Sequence, residues 1–237
     1  MNITIVGAGR AGTSFHLALS RAGHLTHLVH HDQVGAIADA DVVLICVPDD
    51  DIALVAASLP PGGSVVAHVS GSKGLDVLAP HLRVASLHPL MTLPSGELGS
   101  RRLAGATFCV SGDDVAVALV ESLRGRVIRL RDDQRTAYHA TAAVAANHLV
   151  ALMGHVDQLA RSAGLSLEDF LPLARHALDD VAELGPERAL TGAASRGDMT
   201  TIDAHLAAIP EVERATYVAM ANAAFELAER RRSQTLA

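Results

Sequence analysis

The run Ile3-Thr4-Ile5-Val6 passes without a break into Gly7-Ala8-Gly9-Arg10-Ala11-Gly12. The β-branched tetrad reads as a strand, residues 13–22 read as a helix, and Gly23 stands where that helix would stop. A Gly-x-Gly-x-x-Gly turn is informative when a strand precedes it and a helix follows, and both are present. Gly7 would permit the tight turn. Gly9 would let the backbone approach a pyrophosphate, and Gly12 would let the helix lie close on the strand. The N–H groups at the helix start, with the helix dipole behind them, would then face the anion. The stretch predicts a dinucleotide-binding βα turn built from Gly7, Ala8, Gly9, Arg10, Ala11 and Gly12. The plainer alternative is a glycine-rich turn that binds nothing.

Composition narrows the field. The 237 residues suit one large domain or two smaller ones, and 49% are hydrophobic, enough for a substantial core. Aromatics are only 3% and tryptophan is absent, so the expected core is aliphatic. A net charge of −7 with no basic stripe argues against nucleic-acid binding. Cys46 and Cys109 each fall in a predicted strand, which suits buried free thiols in a reducing cytoplasm. The chain starts directly in a strand, so no signal peptide is expected, and no apolar stretch is long enough for a membrane span. Lys73 is the only lysine.

Further strands are predicted at 25–30, 41–47, 64–69, 83–87, 105–110 and 127–130, with a short helix at 33–39. Asp32 lies where an acidic residue would hold an adenosine ribose. His30 and His31 stand beside it and could instead meet a 2′-phosphate, so these residues leave NADP and NAD both open. The histidines at 24, 27, 30 and 31 alternate between two strand faces, which argues against a metal site. After the apolar run 41–47 come Pro48, Asp49, Asp50 and Asp51, and one of these acids is expected to cap the next helix. From 132 onward only helical periodicity is found. One alanine-rich helix is expected over 134–162, a capping box at Ser166 and Asp169, and an N-cap at Asp198. Arg230, Arg231 and Arg232 read as a solvated helix end. The domain boundary is drawn between 1–131 and 132–237.

Ligands of an open parallel sheet bind outside the carboxyl ends of its strands. Ser70 and His88 end two such strands. His88 is the first candidate for a catalytic group, because a histidine can titrate near neutral pH and donate a proton to a developing alkoxide or amine. Ser70 would orient the reacting group or, more plainly, cap its own turn. In the long helix His139 and Asn147 stand out as polar residues that would bind substrate or cofactor, or else bond another helix. Arg196 would clamp a substrate carboxylate through its bidentate fork, and Thr191 lies in the same connector.

These segments resemble a known family. The matching stretches are 7–12, Val47-Pro48-Asp49-Asp50, His68-Val69-Ser70-Gly71, Ser86-Leu87-His88-Pro89-Leu90, residues 146–152, and Leu190-Thr191-Gly192 through Arg196-Gly197-Asp198. The family is a bacterial one in which a Rossmann-like NAD(P)-binding domain is joined to a helical C-terminal domain of unknown function. It is related to ketopantoate reductase, pyrroline-5-carboxylate reductase and prephenate dehydrogenase. The resemblance implies an α/β fold, a mostly parallel Rossmann-like sheet followed by an all-α domain. It also implies a cofactor site that includes Val47, Pro48 and Ser70, and a homodimer formed through the C-terminal helices. The chain departs from the family in carrying His30-His31 where members have Ser-Arg. It also lacks the long-helix lysine of ketopantoate reductases.

The expected function is NAD(P)-dependent hydride transfer, with NADP the first choice, on a small carboxylate-bearing keto, hydroxy or imino compound. Ketopantoate-type reduction is the specific expectation. A non-catalytic NADP(H) sensor or a structural dimer is the alternative.

Overall fold

The structure is a computed structural model that describes residues 1–30, 40–94 and 96–235. The chain separates into two compact units, Met1–Ala146 and Asn147–Ala237. The compositional shift at Arg131 coincides with the 3-10 turn Asp132–Gln134 that opens the last helix of the first unit. His31, Asp32 and the helix expected at 33–39 lie outside the described residues.

The first unit runs β1 (Asn2–Val6), α1 (Arg10–Arg21), β2 (Leu25–Val29), β3 (Val42–Ile45), α2 (Ile52–Ser58), β4 (Val65–His68) and β5 (Val84–Pro89). It continues with α3 (Gly96–Leu103), β6 (Thr107–Gly112), α4 (Val115–Ser122), β7 (Arg126–Arg129) and α5 (Arg135–Ala143). The seven strands form one sheet in the order β2-β1-β3-β4-β5-β6-β7. The first five are parallel, β6 runs antiparallel to β5, and β7 is parallel to β6. This is the mostly parallel α/β sheet that the glycine turn and the continuous apolar strands predict.

Alternation along the strands divides the core into two. Ile3, Ile5, Val42, Leu44, Ala85, Leu87, Phe108 and Val110 pack with Phe15 and Leu19 of α1, Leu103 of α3 and Leu119 of α4. Val6, Val43, Ile45 and Val66 face the other way, onto Ile52, Val55 and Ala56 of α2 and onto Leu78. α3 lies against α1. Arg21 donates to Glu97 at 2.9 and 3.0 Å and to Ser100 at 2.7 Å, and an added Cβ at Gly99 would fall 2.2 Å from Ser14 Oγ. Cys46 and Cys109 are free and buried.

The alanine-rich stretch expected as one regular helix carries a π-helical turn, Val144–His148, between α5 and α6 (Leu149–Ser162). Such wide turns are uncommon and accumulate at functional places. Asn147 lies in this one. The second unit continues with α7 (Leu167–Leu184), α8 (Pro186–Ala189), α9 (Gly192–Arg196), α10 (Met199–Ala208) and α11 (Arg214–Thr235). Asp169 accepts from the backbone N–H of Ser166 at 3.0 Å and from its hydroxyl at 2.9 Å, and Asp198 accepts from the Thr201 N–H at 3.1 Å. Both caps are those read from the sequence. Arg231 corrects that reading. It is not simply solvated but donates to the carbonyls of Leu190 at 3.2 Å and Ser195 at 3.4 Å, holding the connector against α11. Among the described residues no helix is long and apolar enough to cross a membrane.

Candidate functional site

The glycine turn has a distinct reason for each glycine. Gly7 sits at φ +110°, where an added Cβ would fall 2.6 Å from the Cys46 carbonyl, and its N–H donates to Val29 O at 2.9 Å. A Cβ on Gly12 would fall 1.8 Å from the Gly7 carbonyl oxygen, so only hydrogen lets the helix close onto the turn. Gly9 differs from both. A Cβ there meets nothing within 4 Å, and the residue is exposed. Helix α1 starts at Arg10, inside the motif and earlier than its predicted start, and no acid occupies its first turn. Its leading N–H groups have no intrahelical partner by geometry, and among the described residues no side chain caps them. This arrangement fits a dinucleotide, whose diphosphate Gly9, Arg10 and Ala11 would hold.

A cleft of about 430 Å³ begins at Gly9, Arg10 and Ala11. It passes Cys46, Val47, Pro48 and Val69 and reaches His88, Pro89, Met91 and Leu93. The structure thus gathers Gly9, Arg10, Ala11, Val47, Pro48 and His88 of the sequence candidates on one concave surface. Ala8 is half-buried beside it, and His30 is exposed just past the end of β2.

The polar floor beyond the cleft comes from the β5–β6 pair. Ser86 faces Ser111 and His88 faces Cys109 across the antiparallel ladder. With a period of two, both pairs lie on one sheet face. Helix α5 meets them with side chains three and four apart. Arg135, buried, donates to Ser86 Oγ at 2.9 Å and to Ser111 Oγ at 2.7 Å. The Tyr138 hydroxyl lies 2.6 Å from His88 Nδ1, with the two rings edge-to-face. His139, exposed, turns Nδ1 toward Gly71. A Cβ on Gly71 would be 2.9 Å from His88 Nε2 and 3.0 Å from His139 Nδ1, so both rings converge over that glycine.

Burial, then the neighbouring His139 and Arg135, hold the His88 pKa down to about 4. The expectation that His88 titrates near neutral pH is therefore corrected. Its imidazole is neutral at pH 7 and acts as a hydrogen-bond donor or acceptor rather than as a cation.

His68, missed as a site residue, organises the loop below. Its Nε2 lies 3.1 Å from the Gly74 carbonyl, and its Nδ1 accepts the Ser70 N–H at 3.1 Å. These two partners fix the proton on Nε2. Ser70 Oγ in turn accepts the N–H groups of Ser72 and Lys73, both at 3.1 Å. Its acceptor capacity is directed into its own turn, and Ser70 is absent from the cleft lining. Asp49 and Asp50 do not cap α2, as the sequence reading expected of one of the three acids. They reach across to this loop, accepting from Ser72 Oγ and, at 3.1 Å, from Lys73 Nζ, and no side-chain cap bond forms at the α2 start.

His68 also makes stability depend on pH. Burial lowers its pKa from 6.5 to about 4, against the opposing bond to Gly74. Between those values the unfolded chain binds a proton that the folded chain refuses. Stability is complete above pH 6.5 and falls as the pH drops toward 4, by up to about 3 kcal/mol from this group. Denaturant unfolding of wild type and His68→Gln over that window is expected to give a flatter pH dependence for the variant. Parallel curves would remove His68 as the source.

In the second unit Asn147 is exposed in the π turn. Thr191 and Arg196 are exposed at the two ends of α9, and Gly197 closes that helix at φ +71°. Among the described residues no group of three or more His, Cys, Asp or Glu could hold a metal ion.

Residues 106–224, half of the chain, match the family described as Domain of unknown function (DUF2520). The chain belongs to this family. No curated protein matches it in sequence. Among solved structures, a candidate NADP oxidoreductase from Bacteroides fragilis is similar at a TM-score of 0.76 and 18% identity, over 95% of this chain and 98% of that one. Protein TM1727 from Thermotoga maritima is similar at 0.76 and 22%, over 97% and 99%. The reductive aminase from Aspergillus terreus, in complex with NADPH and ethyl-5-oxohexanoate, is similar at 0.67 and 18%, over 98% and 94%. At these identities the likeness establishes a shared fold, a Rossmann-like sheet followed by a helical C-terminal part. That agrees with the resemblance carried by the sequence motifs.

Proposed function

We propose that this DUF2520 protein is an NADP(H)-dependent oxidoreductase that reduces a C=O or C=N bond of a small compound. The observation that carries the reading is the single cleft joining the anion-ready start of α1 to His88. The cofactor, when bound, supplies a hydride. Gly9, Arg10 and Ala11 would hold its diphosphate, and Val47 and Pro48 would line its path toward His88. His88, neutral, would direct a ring N–H at the oxygen or nitrogen on which negative charge develops. The like-folded proteins named as NADP oxidoreductase and as reductive aminase support the same class.

Within that class the substrate is a carboxylate-bearing keto or imino compound; His139 is the candidate for orienting its reacting group, and on the helical unit Arg196 is the candidate for its carboxylate and Asn147 and Thr191 for its other polar groups. Ketopantoate-type reduction stays the specific candidate. NADP is favoured over NAD, with His30 and His31 as readers of the 2′-phosphate. A cytoplasmic homodimer formed through the helical unit completes the reading, supported by exposed apolar residues there such as Val150 (71%) and Leu173 (66%).

Thermal unfolding of the purified chain with NADPH, with NADH and without nucleotide tests the cofactor reading. Saturation at 100 times the dissociation constant adds about 2.7 kcal/mol to stability, a visible shift. The larger shift is expected with NADPH. NADPH consumption should then follow with one member of a panel of ketopantoate, pyrroline-5-carboxylate and ketone–amine pairs. No shift with either nucleotide would sink the oxidoreductase.

A further inference from the structure

We propose that Tyr138 is a positioning residue that fixes His88 in the tautomer carrying its proton on Nε2, presenting that N–H beside Gly71. What the N–H then does rests on the function proposed above; the tautomer itself does not.

The geometry allows two hydrogen-bond chains through the Tyr138 hydroxyl. It lies 2.6 Å from His88 Nδ1, and the Cys109 thiol, which stands directly opposite His88 in the ladder, is an electrostatic neighbour of the same hydroxyl. In one chain the thiol donates to the phenol oxygen, the phenol donates to Nδ1, and His88 keeps its proton on Nε2. In the other, Nδ1 donates to the phenol oxygen and the phenol donates to sulfur. A neutral imidazole nitrogen is a good acceptor and a thiol sulfur a weak one. A phenol offered both therefore gives its proton to Nδ1, and the first chain wins.

The surroundings agree. Among the described residues His88 Nε2 has no protein partner, and it is not among the buried polar atoms left without one. It is the ring nitrogen open to the cleft. Arg135, one helical turn earlier on α5, is clamped to Ser86 and Ser111, the neighbouring pair of the same ladder, which anchors the start of α5 to the β5–β6 floor. Burial holds the phenol pKa above its usual value, so the hydroxyl stays a donor throughout the working range.

Long-range proton–nitrogen correlation on the full-length 15N-labelled protein, without nucleotide, reads the tautomer. The His88 signals are assigned by their loss in His88→Gln. Wild type is expected to show a pyrrole-type Nε2 and a pyridine-type Nδ1. Tyr138→Phe keeps the ring contact and removes the hydroxyl, and should give a tautomer mixture. Cys109→Val should leave the wild-type pattern intact, whereas the reverse chain would switch once sulfur is removed as acceptor. A pyrrole-type Nδ1 in wild type, an unchanged pattern in Tyr138→Phe, or a switch in Cys109→Val would each overturn the proposal. Where NADPH turnover is found, Tyr138→Phe should lower kcat about ten-fold and leave the NADPH dissociation constant within about two-fold. Absence of NADPH binding would remove the oxidoreductase and leave the tautomer result standing.

Discussion

Replacing Gly12 by alanine is expected to cost about 3 kcal/mol of stability, lowering Tm by roughly 6–12 °C, even with no nucleotide present. The new methyl carbon would stand 1.8 Å from the Gly7 carbonyl oxygen, and neither side of that contact can yield. Gly7 is held by its N–H bond to Val29 and by the Cys46 carbonyl that fills its own Cβ position. Helix α1 is held by Phe15, Ala18 and Leu19 in the core and by the Arg21 contacts with α3. Gly9→Ala is the opposite case. Gly9 has φ −75°, which any residue adopts, and its Cβ would meet open space. Loss of glycine at a helix N-cap should cost less than about 1 kcal/mol. The methyl would nevertheless occupy the ground where a diphosphate approaches the backbone, so the stabilisation by NADPH should shrink sharply. Melting curves of the two variants with and without NADPH separate the effects. A wild-type Tm for Gly12→Ala would refute the packing account, and an undiminished NADPH shift in Gly9→Ala would move the diphosphate elsewhere.

The contrast between these two glycines explains what was legible in the sequence. The motif names both, and its strand and helix were readable because each depends on neighbours a few residues away. The capping pair Ser166–Asp169 and the Asp198 cap were readable for the same reason: donor and acceptor are three residues apart. The polar floor was not. Tyr138 meets His88, and Arg135 meets Ser86, only because β6 returns antiparallel to β5 and sets the register Ser86–Ser111 and His88–Cys109. No local pattern encodes that register. The same limit misled the reading of Asp49 and Asp50. A carboxylate before a helix is a cap by local chemistry, yet here both carboxylates are drawn to Ser72 and Lys73 on a loop that only the sheet brings near. His88 was found by its position at a strand end, but its charge state was misread, because burial is a property of the assembled site.

That charge state shapes the second large effect. His88→Ala is expected to lower turnover by about 10² or more while NADPH still binds through the glycine turn. Alanine removes the ring N–H aimed at the developing charge, and it also releases Tyr138 from its 2.6 Å bond, so a loss alone would not separate chemistry from disorder. His88→Gln restores an N–H donor of similar reach and should recover part of the rate, as disorder alone would not allow. The pH profile supplies the sharper test. With its pKa held to about 4, His88 is neutral from pH 5.5 upward, so kcat should show no inflection near 6.5 that disappears in His88→Gln. Such an inflection would mean that the ring gains and loses its proton in the working range. It would then serve as a true acid, and the neutral-donor account, with its fixed tautomer, would fail for the reacting complex.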